Sequence, residues 1–164
     1  MSDLLRLFFV IAFLTLGLAA YFLVVSALFP NRVARTKSAI QSTPARSFGI
    51  GLVNFVFFAV IAIALFSGAE KSGPFIKTLL TIPALLITAL LATMLSFGLA
   101  GMTSLIGERI LPELTSWRQS ILGTVCLCFA CAPPFVGWFL LFPYAGLVGI
   151  GAFILGLFQR EPKS

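Results

Sequence analysis

Three cysteines, Cys126, Cys128 and Cys131, form a C-x-C-x-x-C group, the densest set of reactive side chains in the 164-residue chain. That spacing suits soft-metal ligation or dithiol redox chemistry. The first needs a fourth ligand, and the second a thiolate stabilised in an electropositive, partly exposed place. On a helix Cys128 and Cys131 share a face, while Cys126 points about 160° away from Cys128. Neither a fourth ligand nor a charge is nearby in sequence, so the group reads as small thiols among membrane helices. A membrane thiol oxidoreductase would rest on these three residues alone.

Other catalytic groups are sparse. Histidine is absent, and the five acids are Asp3, Glu70, Glu108, Glu113 and Glu161. All five fall in predicted tails or connectors, whereas general acid–base catalysis needs a titratable group at the reacting atoms. A Ser–His–Asp site, a His-ligated haem and a His-containing zinc site are excluded by composition. Glu108 and Glu113, five apart, share a helical face poorly and read as a solvated loop pair. The sequence thus predicts no enzyme, no metal site and no cofactor.

The elements that would position any site are set by hydropathy. The chain is 60% hydrophobic and 10% charged, against about 45–50% and about 25% in soluble domains. So much apolar surface predicts a single integral membrane domain over 1–164, an all-α polytopic bundle of four or five segments. The segments are about 7–29, 47–66, 78–107, 121–132 and 136–158. Pro30 is expected to stop the first, with Asn31 to Arg46 a polar connector. The last uncharged stretch, Ser120 to Phe158, is 39 residues long. As one helix it would reach roughly 58 Å, about twice the hydrocarbon thickness. Pro133, Pro134, Gly137 and Pro143 break it into a hairpin that either spans fully or is re-entrant.

Eleven basic residues give a formal charge of +6, divided among tails and connectors. Nucleic-acid binding would want a continuous basic face, so none is expected. With five passes and the N-terminus outside, eight basic residues lie inside and three outside; a single last crossing gives six against five. The two-pass hairpin is favoured, with the C-terminus cytoplasmic. Arg32, Arg35, Lys37 and Arg46 are read as lipid-headgroup contacts. Trp117, Trp138 and Tyr144 fall near expected interfaces.

Packing residues are the clearest signal within the spans. Ala84, Thr88, Ala92, Ser96, Ala100 and Ser104 recur at every fourth position of the third segment. Ala145, Gly149, Ala152 and Gly156 form a similar strip on the last. Small side chains permit close helix approach in lipid, so Ser96→Leu and Gly149→Leu are expected to disrupt assembly alike. Asn54, a carboxamide within a span, is expected to bond to a partner helix.

One resemblance spans roughly Leu7 to Phe158. Leu28-Phe29-Pro30-Asn31-Arg32-Val33, then Thr43-Pro44-Ala45-Arg46-Ser47-Phe48-Gly49-Ile50-Gly51-Leu52, resembles the membrane domain attached to bactofilin-like polymer-forming proteins of bacteria. Leu80-Thr81-Ile82-Pro83, Ile106-Gly107-Glu108-Arg109 and Pro134-Phe135-Val136-Gly137-Trp138 resemble its later landmarks. The β-helical repeat of such proteins is not in this sequence, so polymer formation does not carry over. The resemblance implies a module of the bacterial cytoplasmic membrane without catalytic residues. The function expected from the residues is a non-catalytic scaffold or accessory subunit, packing against other membrane subunits or itself. The alternative is a small channel or facilitator for a neutral solute, lined by Asn54 and the Thr/Ser positions of the third segment.

Overall fold

The computed structural model describes residues 2–131, 135 and 137–158, the side chains of 2–4, 7 and 138 excepted. It is all-α: α1 (Ser2–Leu28), α2 (Pro30–Ser42), α3 (Pro44–Glu70), α4 (Pro74–Ile110), α5 (Ser116–Cys131), a π-helical turn (Gly137–Leu141) and α6 (Phe142–Phe158). Four stretches are long and apolar enough to cross a membrane: Phe8–Leu28, Pro44–Glu70, Pro74–Ile110 and Phe139–Phe158. The chain is a multi-pass membrane helix bundle. Pro133 and Pro134, and the ends of the expected hairpin helices at Ala132 and Val136, lie outside the described residues.

Prolines punctuate the chain by starting helices. Pro30, Pro44 and Pro74 each hold the first helical position, where the missing N–H would have no intrahelical partner. Phe29 and Thr43, each preceding a proline, are driven out of helical geometry, with φ of −129° and −144°. The stretch expected as a polar connector is therefore mostly helix α2. Its Val33, Thr36, Ala39 and Ile40 are buried at helical spacing. The connector expected at 108–119 shortens likewise to 111–115, because α4 continues to Ile110 and α5 opens at Ser116. Pro83 is the tenth residue of α4 and lies in its interior, not among its first turns. It leaves the Leu79 carbonyl without its helical donor.

The last helix forms the core. Ala145, Gly146, Val148, Gly149, Ile150, Gly151, Ala152 and Gly156 of α6 are all buried. These positions surround its axis, so α2, α3 and α4 all pack on it. Ala39 and Ile40 of α2, Leu105 of α4 and Val148 and Ala152 of α6 make one cluster. Phe22, Val33 and Ala100 make a second, joining α1, α2 and α4. The outer faces of α1, α3 and α4 carry exposed Phe13, Leu16, Val53, Ile63, Leu79 and Leu86. Such faces are stable only in hydrocarbon.

Direction follows from register. α6 runs antiparallel to α3, with Ser47 and Gly51 facing Gly151 and Leu147. It runs parallel to α4, where Gly149 meets Gly98 and Gly146 meets Leu95. α5 returns antiparallel along α4 and lies against α1. One end of the bundle therefore holds Arg32, Arg35, Lys37, Arg46, Arg109 and Arg118; the other holds Lys71 and Lys77. The start of α1 does not reach that other end, because Phe8 lines a groove with Ile121, Val125 and Phe129 of α5.

Candidate functional site

The site that the fold builds most firmly is a set of glycine-lined helix crossings. At the α3–α6 crossing, a side chain added at Gly51 would strike the Leu147 carbonyl, and one at Gly151 the Ser47 carbonyl. The α4–α5 crossing repeats this arrangement: Gly107 faces the carbonyl of Gln119, and Gly123 that of Thr103. Each helix contributes two residues four apart, the spacing that stacks them on one face. Each carbonyl lies where a glycine Cα–H points, the geometry of Cα–H···O contacts between closely approaching helices. The α4–α6 crossing differs, since Gly98 and Gly149 meet backbone to backbone.

Hydroxyls within the bundle are satisfied locally. Thr36 donates to the Arg32 carbonyl at 3.0 Å, Thr88 to Ala84 at 2.8 Å and Thr124 to Ser120 at 2.7 Å. Such back-bonding lets a polar side chain sit in an apolar interior as a small one. Ser47 and Ser120, buried at the crossings, lack such a bond; what the crossing uses is their small volume.

The residues singled out from sequence are distributed unevenly. Ala145, Gly149, Ala152 and Gly156 all face the interior, with Gly149 against Gly98 and Gly156 against Arg35. On α4, Ala84 and Ala100 are fully buried, Ser96 and Ser104 are half-buried, and Thr88 and Ala92 are exposed. Ser96 accepts a 2.8 Å hydrogen bond from Tyr21 of α1 while donating to the Ala92 carbonyl. The two sit in a cleft of about 280 Å³ with Phe29 and Phe97. Asn54 does not reach another helix through its amide nitrogen, which donates to the Ile50 carbonyl of its own helix at 2.8 Å. Tyr144 stacks on Phe48 with ring centroids 5.6 Å apart. Cys126 is exposed, Cys128 and Cys131 are half-buried, and all three are free thiols. Among the described residues no three His, Cys, Asp or Glu side chains converge on a metal-sized site.

The basic end is more differentiated than its sequence suggested. Lys37 is engaged by Glu108, with Nζ 2.5 Å from Oε2, an ion pair without aligned hydrogen-bond geometry. Glu108 is thus a helical residue fastening α2 to α4, not half of a loop pair. Arg32, Arg46, Arg109 and Arg118 are exposed, and the Arg118 guanidinium lies 5.0 Å from the Trp117 ring centre. Glu108→Lys is expected to cost about 1 kcal/mol or less, because a half-exposed pair is well screened. The exchange Lys37→Glu with Glu108→Lys should recover that loss. Thermal midpoints of the four proteins check the pair, and additive losses would show that it contributes nothing.

Crossings and charged end together define a multi-pass membrane bundle held by close backbone contact. No protein-family model, curated protein or solved structure matches the chain.

Proposed function

We propose that this chain is a non-catalytic scaffold or accessory subunit of a bacterial cytoplasmic membrane, acting through helix packing within the bilayer. The observation that carries the reading is the division of labour among the helices. α6 is enclosed by α2, α3 and α4 through glycine contacts, while α1, α3 and α4 present long apolar outer faces. Such a body is rigid inside and offers its recognition surface to lipid or to another membrane subunit. The short connectors leave little surface outside the bilayer. Positive-inside counting favours the basic end in the cytoplasm. The likeness to the membrane part of bactofilin-like proteins supports the bacterial setting.

The test is native mass determination after gentle detergent extraction at natural expression level. A fixed-stoichiometry complex with a second membrane protein, or a defined homo-oligomer, is the expected outcome. A lone monomer under the mildest extraction, with neutral-solute flux in proteoliposomes that Asn54→Leu abolishes, would overturn it in favour of a facilitator.

A further inference from the structure

We propose that the basic end of the bundle binds anionic phospholipid headgroups through Arg32, Arg46, Arg109 and Arg118. This rests on the reading of the chain as membrane-spanning. Arg32 begins α2, Arg46 begins α3, Arg118 begins α5 and Arg109 closes α4, so four separate helices bring an exposed guanidinium to one end. The acids described at that end do not balance them. Glu108 is taken by Lys37, which leaves only Glu113.

The placement of three of these arginines is costly without an anion. Arg32, Arg46 and Arg118 each occupy the third position of a helix whose first turn holds no acid. The helix dipole is positive there and favours carboxylates over cations. Headgroup phosphates at this end would supply the missing negative charge, and guanidinium pairs with phosphate in a two-pronged geometry. Trp117 beside Arg118 is a ring type that settles at the same depth. The partner that fits is therefore the anionic leaflet itself. Lys37, already neutralised, lies outside the set.

The experiment is native mass spectrometry of the whole protein released from mixed micelles of equal phosphatidylglycerol and phosphatidylcholine. The wild type should retain phosphatidylglycerol in preference. Each Arg→Gln substitution at the four positions should lower that preference about fivefold, and added salt should lower it further. Lys37→Gln should leave it as in the wild type. Equal retention of the two lipids, insensitivity to salt, or an equal loss in Lys37→Gln would overturn the proposal. Single substitutions, compared at matched helicity by circular dichroism, keep the test valid if the fourfold variant does not fold. Protein partners appear in the same spectra as separate mass additions, so a failure here is distinguishable from a failure of the scaffold reading.

Discussion

Gly98→Ala should lower the thermal midpoint of the detergent-solubilised protein by about 10 °C, the effect of roughly 3 kcal/mol of overpacking. Gly17→Ala and Gly49→Ala should leave it unchanged or raise it. A methyl group at position 98 would lie 2.5 Å from the Gly149 Cα and 2.7 Å from its carbonyl oxygen. Those atoms are backbone and cannot rotate away, so α4 and α6 must separate along their crossing. Nothing lies within 4 Å of the equivalent positions at Gly17 and Gly49, where alanine brings only its better helix propensity. The contrast is sharper in lipid than in water, because separated helices remain in an apolar solvent and close packing is what association gains. By the same reasoning Gly149→Leu should abolish the folded monomer peak in size-exclusion chromatography. Ser96→Leu, at the half-open cleft beside Tyr21, should lose the hydroxyl's hydrogen bonds with Tyr21 and Ala92 and survive. Equal melting of Gly98→Ala and Gly17→Ala would show that the crossing has room and would remove the rigid core on which the scaffold reading stands.

Hydropathy made the apolar segments legible, because length and absence of charge decide whether a helix can cross a bilayer. Their joints were harder to read. Four basic residues between Asn31 and Arg46 signalled a connector, and their charge masked the helical spacing of Val33, Thr36, Ala39 and Ile40. Pro30 reads as a stop, yet a proline ends one helix and opens the next with equal ease. The strip on α4 shows the limit of counting by four. Each step of four residues advances about 40° around the helix, so Ala84 and Ala100 lie about 160° apart. Two distant faces bury them, and Thr88 and Ala92 fall between on the exposed side. The closest approaches instead use Ser47 with Gly51 and Thr103 with Gly107. These are pairs of small residues four apart that the sequence displays. No local signal says which helix each pair will meet, since that depends on where α6 comes to lie.

Phe135→Cys, in a background with Cys126, Cys128 and Cys131 replaced by serine, should resist membrane-impermeant maleimide from both faces until detergent is added. Ser72→Cys should react from one face and Ser116→Cys from the other. The charge count is the same for a re-entrant hairpin and for two full crossings, so geometry has to decide. α5 has 16 residues, about 24 Å of helix against a hydrocarbon thickness of about 30 Å. The register of α6 on α3 gives an independent measure. Ser47 opposite Gly151 and Gly51 opposite Leu147 bring Phe142 level with Val56. α3 continues from there to Glu70, roughly 21 Å further. The hairpin therefore turns near mid-depth, and above it α3 and α4 continue as a two-helix arm with Phe57, Val60, Leu85 and Leu86 exposed. Labelling of Phe135→Cys from the Ser72 side at the Ser72 rate would mean a complete crossing and a covered arm. Protection from both sides would leave that arm as the part of the bundle with most surface free for a partner subunit.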